Sequence, residues 1–417
     1  MRATDRGAGR RTSHLVRAAR GGVVALLAGG LWMLAAGVPV AGAAGSRTGR
    51  GGGSPFRVLY IGGLSGVDSA AATAASHGMT AAVDFLNKHG GLAGHHVDLT
   101  VKTDQAKATN AVSDLQSALS GGSKPNLVWP GSTSTTGEAL APTLTRDKIL
   151  ANGVVSAPTI VTPKVNPYFF DVTGSLKAQG QDLAKYLKSK GYTHVGLVYE
   201  NFILGQEEEG AEAAALKAVG ISTSIVNYPP TALNVTPQME SLKSDNVQAV
   251  LLDGLGEPVG LALAARATMA WSVPMVGDAL VSGTFDPKGV SATQLKGVDW
   301  LVQNVDIYKA HESRAFATFY KAVRKIGPID VPLFEYAAGW DVVMQADDAA
   351  KQAHSIAATK MAGALNHLKK LKKPNYVLAN HETYSSKTHA LTVPMSVVPM
   401  AVPTGGMYNV PAHAKLP

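Results

Sequence analysis

From Arg57 onward, short apolar segments rich in β-branched residues alternate with longer segments that have helical spacing. The first unit is RVLYI (Arg57–Ile61), followed by a Gly/Ser turn and the helical stretch Ser69–His89. The alternation continues with predicted strands and helices at Val97–Thr103, Ala108–Leu119, Asn126–Trp129, Ala139–Arg146 and Ile149–Val155. Strand–helix units of this length predict a parallel sheet with right-handed crossovers, and therefore an α/β fold.

The alternation restarts in the second half of the chain, after a division near Val172–Ser175. The second set of predicted elements is Gln179–Lys190, Thr193–Tyr199, Glu207–Val219, Ser222–Asn227, Pro237–Ser244, Ala249–Asp253, Pro258–Met269 and a strand from Pro274. A chain of 417 residues is also too long for one ordinary core. We therefore expect two similar, doubly wound lobes.

The last third of the chain departs from this alternation. His311–Lys373 is mostly helical in pattern, and the tail Val393–Val402 is apolar but interrupted by Pro394 and Pro399. Because proline cannot donate a hydrogen bond to a neighbouring strand, the tail is predicted to be poorly suited to the middle of a sheet.

Residues 1–43 have the pattern of an export signal. Six arginines and one aspartate precede the uncharged stretch GGVVALLAGGLWMLAAGV, and Ala41-Gly42-Ala43 fits a small-residue cleavage site. An uncleaved membrane anchor is the alternative, because no charge occurs from Gly21 to Gly45 and that length could span a bilayer. Residues 44–55 form a Gly-rich linker. We expect a secreted protein, or one held at the cell surface by this segment, without stable membrane insertion after cleavage.

Charge and cysteine content exclude several classes of protein. The formal net charge is +8, but the export segment supplies five of these charges, and Arg47 and Arg50 in the linker supply two more. The folded part is therefore nearly neutral, and no nucleic-acid partner is expected. The chain has no cysteine, which excludes disulfides, thiolate zinc sites and a lipid anchor on an N-terminal cysteine.

The stretch WPGSTSTTGEA (Trp129–Ala139) ends a predicted strand and places five hydroxyl side chains in a row. Open α/β sheets bind ligands at this edge. Thr135 and Glu138 have capping-box spacing, so a helix is predicted to start near Thr136. Unpaired N–H groups of its first turn favour an anion, and the hydroxyls can donate further hydrogen bonds. An ordinary hydroxyl-rich cap remains the alternative.

A second segment, FLNKHGGLAGHHVDLTVKTDQ (Phe85–Gln105), combines a helix end, a double-glycine turn and a strand that leads to Asp104. With Leu64-Ser65-Gly66 before it, this order resembles the type I periplasmic solute-binding proteins, specifically the leucine/isoleucine/valine-binding family of ABC importers. Further matching segments, in consistent order from about Phe56 to Ala350, are Gly131 with its hydroxyls, Ser156-Ala157-Pro158, Pro167–Phe170, Tyr199–Gly205 and Gly339-Trp340-Asp341.

The resemblance implies two Rossmann-like doubly wound lobes joined by a three-crossing hinge, the type I periplasmic-binding-protein architecture, closing on a ligand. Lobe 1 would comprise 56–173 plus 306–379, and lobe 2 would comprise 174–305 plus 380–417. The protein would act as a monomer, without a cofactor or metal, and deliver a small molecule to an ABC permease. A ligand sensor or scaffold of the same fold, without transport, is the alternative function.

The resemblance also implies site residues. The carboxylate of a ligand would be held by Ser132, Thr133, Ser134 and Thr135, with Thr135 the closest match to the carboxylate-binding serine of the family. Val154, Val155 and Ser156 match the loop that binds an ammonium, although Ser156 reads equally as a turn residue. Ser65, in the first glycine turn, belongs to the same implied site.

The other half of the implied site is altered. Where the family has aromatic residues in its pocket, this chain has Ala71, Leu204 and Leu255. Phe334 fits equally well as part of the pocket wall or as a residue of the hydrophobic core. Asp278 is near the position of the acidic residue that pairs with the ammonium, but a turn aspartate is the simpler interpretation. Without a buried carboxylate an ammonium would lack its partner. We therefore expect a carboxylate-bearing, apolar ligand rather than a branched-chain amino acid.

Enzyme activity is not expected. The twelve histidines are scattered without the spacing of a zinc site, and no nucleophile motif is present. The cluster Glu207-Glu208-Glu209 is interpreted as a solvated face at a helix start.

Overall fold

The computed structural model describes residues 53–65, 69–131, 133–155, 157–307, 313–368, 376–378, 384–411 and 413–415. The predicted export segment and most of the linker lie outside these ranges. Among the described residues, no helix combines the length and the apolar character needed to cross a bilayer.

The first lobe is a five-stranded parallel sheet with helices on both faces. Its strands are β1 (Phe56–Gly62), β2 (Val97–Thr103), β3 (Leu127–Pro130), β4 (Leu150–Gly153) and β5 (Phe169–Asp171). Helices α1 (Ser69–Lys88), α2 (Ala108–Ser120) and α3 (Ser134–Arg146) connect them. The order β2-β1-β3-β4-β5 places β1 and β3 at the centre, as a doubly wound sheet requires.

The second lobe contains a larger sheet. Its elements are α4 (Leu176–Ser189), β6 (His194–Glu200), α5 (Ile203–Ala218), β7 (Ser222–Tyr228), α6 (Thr236–Ser244), β8 (Ala249–Asp253), α7 (Glu257–Thr268), β9 (Met275–Gly277), α8 (Ala279–Thr284), α9 (Ala292–Leu295) and β10 (Val298–Gln303). Strands β6 to β10 pair with one another in parallel, so the alternating pattern again produces an open α/β sheet.

The chain then returns to the first lobe in three helices, α10 (Arg314–Ile326), α11 (Leu333–Ala353) and α12 (Ala358–Leu365), which share a hydrophobic core with α1. Helices α1 and α11 touch backbone to backbone. A Cβ added at Gly78 would collide with the carbonyl oxygen of Tyr336, and one at Gly339 would collide with that of Ala75. The two glycines therefore set the position of α11, whose first turn reaches the space between the lobes.

The prediction for the apolar tail is wrong. Met395–Pro399 forms β11, which pairs antiparallel with β10 on one side and with β12 (Ala414–Lys415) on the other. Pro394 precedes the strand and Pro399 ends it, so both prolines lie at its boundaries. The intervening residues keep their N–H groups for the ladder, which is why the strand is tolerated inside the sheet.

Candidate functional site

A cavity of about 550 Å³ lies between the two lobes, within the described part of the chain. Its first-lobe wall is formed by the start of α1, the end of β3, the start of α3 and the first turn of α11, and its second-lobe wall by the starts of α5, α7 and α8. Apart from the first turn of α11, both walls consist mainly of segments at or after the ends of parallel strands, where an open α/β sheet exposes loops and helix N-termini.

Helix α3 begins earlier than predicted. It starts at Ser134, and its N-cap is Thr133, whose Oγ1 accepts a hydrogen bond from the backbone N–H of Thr136 at 3.2 Å. The expected capping box does not form, because Glu138 instead accepts a hydrogen bond from the hydroxyl of Thr159 at 3.0 Å. As a result Ser134 and Thr135 belong to the first turn, where the backbone N–H groups have no partner in the helix.

Most of the predicted site residues line the cavity, and the others do not. Those that line the cavity are Ala71, Thr133, Ser134, Thr135, Val154, Leu204, Leu255 and Phe334. Ser65, Val155 and Asp278 are not in the lining; Val155 is packed in the core beside α3, and Asp278 is buried in the second lobe. Ser132 and Ser156 lie outside the described residues.

The lining also includes residues that the sequence did not single out. The larger side chains among them are Trp129, Gln179, Phe202, Phe285, Lys288, Gln303, Asp330 and Tyr408. Trp129 lies in β3, three residues before the hydroxyl run, so the sequence indicated its position near the site. The loop that follows α8 carries no recognisable motif, and only the tertiary structure shows that Phe285 and Lys288 reach the cavity.

Two buried donors of the cavity wall have no hydrogen-bond partner among the described residues. They are the indole Nε1 of Trp129, a side chain 2% exposed, and Oγ of Ser134, a residue 3% exposed. Leaving a buried donor unpaired costs roughly 1–3 kcal/mol. Trp129 belongs to β3 and Ser134 starts α3, and both residues line the cavity on the first-lobe side.

A cluster of buried acids borders the opposite wall. One carboxylate oxygen each from Glu208, Asp253 and Asp278 lie within 4.8 Å of one another, and Glu208 lines the cavity. Asp278 caps α8 by accepting a hydrogen bond from the N–H of Val281 at 2.8 Å. Burial raises the pKa of Asp278 to about 7. Burial, and then the charge of Asp278, raise the pKa of Glu208 well above its usual value.

This cluster corrects two expectations. Glu207-Glu208-Glu209 is not a solvated face: Glu208 is 6% exposed, and Glu212, one turn later on the same face of α5, is 4% exposed. The reasoning that the second lobe lacks a buried carboxylate is also wrong, since it contains several beside the cavity. The prediction that the ligand is not a branched-chain amino acid therefore loses the argument from a missing carboxylate. It now depends only on the absence of the family's aromatic residues at Ala71, Leu204 and Leu255.

The remaining charges of the cavity lie mostly at its rim. Asp286, Lys288 and Asp330 are exposed, and Lys288 is the only lysine or arginine among the described lining residues. Glu335, in the first turn of α11, is buried. Such a cavity has an apolar interior with polar groups at defined points, the usual composition of a small-molecule site.

A family model described as periplasmic binding protein matches residues 55–406. The chain belongs to the periplasmic binding protein family. Proteins of this family bind solutes outside the cytoplasm and are not enzymes, so the protein is an extracytoplasmic solute-binding protein. No match is found among curated proteins.

Solved structures of periplasmic binding proteins share the fold. A type 1 periplasmic binding protein from Bordetella pertussis Tohama I has a TM-score of 0.73 at 18% identity, over 86% of this chain and 99% of that one. A solute-binding protein of an ABC transporter from Rhodopseudomonas palustris BisB5, in complex with 3,4-dihydroxybenzoic acid, has a TM-score of 0.69 at 17% identity, over 87% and 97%. A fatty acid ABC transporter substrate-binding protein from Thermomonospora curvata has a TM-score of 0.68 at 14% identity, over 88% and 93%.

Proposed function

We propose that this periplasmic binding protein is the solute-binding component of an ABC importer and takes a carboxylate-bearing, largely apolar molecule to the permease. The observation that carries the proposal is the pair of unpartnered donors on the cleft wall, Trp129 Nε1 and Ser134 Oγ. A carboxylate has acceptor positions for both groups, and also for the free N–H groups of the first turn of α3.

The electrostatics of α3 support an anion at this wall. The N-terminal end of a helix carries a partial positive charge that stabilises a nearby anion by roughly 1 kcal/mol. Hydrogen bonds that donate to a charged group are worth about 1.5–3 kcal/mol. Together these contributions give the carboxylate a defined position against the first lobe.

The rest of the cleft suits an apolar body. Leu204, Leu255, Phe202 and Phe285 of the second lobe line the cavity opposite Trp129. The 3,4-dihydroxybenzoic acid bound by the Rhodopseudomonas palustris protein and the fatty acid for which the Thermomonospora curvata protein is named share this chemistry, a carboxylate on a mainly apolar frame. A ligand that contacts both lobes at once would stabilise the closed form through hinge closure.

A thermal-shift screen of the purified chain tests the ligand class. The panel pairs acids with their amides, benzoate with benzamide and octanoate with octanamide, and includes leucine. We expect an acid to raise the melting temperature while its amide does not. An acid at a hundredfold its dissociation constant adds about 2.7 kcal/mol. Stabilisation by leucine at micromolar concentration, without a response to any apolar acid, would contradict the proposed ligand class and leave the family assignment intact.

Transport is tested separately. Cells that lack the gene should lose uptake of the acid found in the screen, and the complemented strain should recover it. Unchanged uptake would favour a ligand sensor of the same fold.

A further inference from the structure

The acidic cluster of the second lobe is built from three separate elements. Glu208 lies on α5, Asp253 ends β8, and Asp278 follows β9, the strand next to β8 in the sheet. All three are at least nine-tenths buried, and one oxygen of each lies within 4.8 Å of the others. Because parallel strands end at the same edge of a sheet, the fold itself places these carboxylates together.

The buried carboxyl group of Glu212 is a second indication that the cluster binds a ligand. Glu212 is 4% exposed, and its Oε2 has no hydrogen-bond partner in the described part of the chain. Glu212 follows Glu208 by one turn on the same face of α5, and burial, followed by the charges of Asp278 and Glu208, raises its pKa well above the usual value. The carboxyl groups of Glu208 and Asp253 lie within hydrogen-bond reach of each other, a contact that needs a shared proton. Apart from that contact, both oxygens of Asp253 and Oε2 of Glu208 have no hydrogen-bond partner among the described residues.

No described cation balances these four acids. None of the ion pairs in the described residues includes Glu208, Glu212, Asp253 or Asp278. Buried carboxylates are strongly unfavourable unless they are paired, protonated or bound to a metal ion. Lys288, the one basic side chain of the described cavity lining, is exposed at the rim.

The spacing and chemistry of the cluster match a hard divalent cation. Calcium binds carboxylate oxygens at about 2.3–2.6 Å, so two ligand atoms on opposite sides of one ion lie up to about 5 Å apart. Oxygen-only donor sets suit calcium, magnesium or manganese rather than zinc or copper. Glu208 lines the cavity, which gives an ion a path from solvent into the cluster.

We propose that Glu208, Asp253 and Asp278 bind a divalent cation of the calcium type beside the solute cleft, with Glu212 as a further carboxylate of the same site. All of these carboxylates belong to the second lobe, so the ion can bind without contacts from the first lobe. An extracytoplasmic location exposes it to external calcium, and the dissociation constants of extracellular calcium modules are about 10⁻⁴–10⁻³ M.

The test uses the full chain, freed of metal with a chelator and titrated at neutral pH with calcium, magnesium or manganese chloride alone. We expect one ion per chain by calorimetry and a higher melting temperature with the ion. Asp253→Asn should weaken binding at least tenfold. It should remain folded without metal, since it removes one of the mutually repelling carboxylates. Glu208→Gln is the second variant, and Glu240→Gln, an exposed glutamate of α6, is the matched control.

The outcomes separate the alternatives. Wild-type-like binding by Glu240→Gln together with weak binding by both cluster variants supports the site. No binding by the wild-type chain would show that protons alone neutralise the acids. Equal binding by the wild-type and cluster variants would place the ion elsewhere, and either result overturns the proposal. None of these readouts uses the solute, so they are unaffected if the proposed ligand class is wrong.

Discussion

At the scale of single residues, buried polar groups without partners distinguish this molecule. Hydrogen-bond donors and acceptors in a protein interior are nearly always paired, so each exception indicates something that the isolated chain does not supply. Among the described residues, three of the exceptions belong to residues that line the cleft: the donors of Trp129 and Ser134 on the first lobe and a carboxylate oxygen of Glu208 on the second. The two walls therefore present opposite chemistry to whatever enters.

The first prediction concerns Ser134. Ser134→Ala removes the unpartnered hydroxyl and should weaken binding of the carboxylate ligand about 10- to 100-fold, since a hydrogen bond to a charged group contributes about 1.5–3 kcal/mol. Calorimetric titration measures the effect. Ser117→Ala, on the exposed face of α2, is the control and should bind like the wild type. If the two variants have the same affinity, the hydroxyl does not contact the ligand.

The second prediction concerns Asp171, at the end of β5. Its Oδ1 accepts hydrogen bonds from the backbone N–H of Thr173 at 2.9 Å and from its hydroxyl at 2.6 Å, yet burial raises the pKa of Asp171 to about 7. Between about pH 4 and pH 7 the folded state therefore holds a proton that the unfolded chain has released. The stabilisation is complete below pH 4 and is lost as the pH rises through 7.

Asp171→Asn removes this titration. Relative to the wild type, the variant should gain stability as the pH rises from 4 to 7, by at most roughly 1.4 kcal/mol per pH unit. Urea unfolding at several pH values measures the difference. Parallel stability curves for the two proteins would mean that Asp171 titrates normally in the folded state.

At the scale of elements, the contact between α1 and α11 fixes the geometry of the cleft. Helix α1 contributes Ala71 to the cavity, and the first turn of α11 contributes Phe334. Because the two backbones touch at Gly78 and Gly339, any side chain there would separate the helices and displace both wall residues.

The third prediction tests this contact. Gly339→Ala should destabilise the protein by about 1–3 kcal/mol or more, because the added methyl group collides with backbone that cannot easily move. Gly363→Ala in α12 is the control: a Cβ there meets no atom within 4 Å, so alanine should stabilise by roughly 0.5–1 kcal/mol. Similar effects of the two substitutions on denaturant unfolding would exclude the close packing.

The sequence predicts the elements well and their combinations poorly. Strands such as β6 and β8 can be predicted because they are short apolar runs bounded by helical patterns. Strand β11 could not be predicted, since Pro394 and Pro399 give the same sequence pattern whether they interrupt a strand or lie at its ends. The hydroxyl run predicted a helix start near the correct residue, but the choice of Thr133 as the cap depends on the local backbone.

The acidic cluster could not be predicted from spacing. Glu208, Asp253 and Asp278 are distant along the chain and have no shared motif. They meet only because β8 and β9 are neighbours in the sheet and α5 packs against its edge. Similarly, apolar patterning predicts that Trp129 is buried, but only the structure shows that the residue lines a cleft and that its indole N–H has no partner among the described residues.

At the scale of the whole molecule, the described part of the chain passes between the lobes three times. It leaves the first sheet after β5, returns after β10, and crosses again between Ala390, which bridges to Asp171, and Met395 of β11. Few covalent connections between two rigid lobes permit hinge closure around a ligand. This arrangement suits a protein that must both hold a solute and release it.

The fourth prediction follows from closure. Small-angle scattering of the purified chain should show a smaller radius of gyration when the identified acid is added at saturating concentration, because contacts to both lobes favour the closed form. The matching amide serves as the control and should leave the value unchanged. A radius that does not change with a bound acid would mean that binding involves one lobe only.

A crystal structure of the chain with its acid ligand tests the proposed binding mode most directly. In this binding mode a carboxylate oxygen lies about 3 Å from Oγ of Ser134 and close to Nε1 of Trp129, with the apolar body between Leu204 and Leu255. A carboxylate that instead points away from α3, toward Lys288 at the rim, would contradict it.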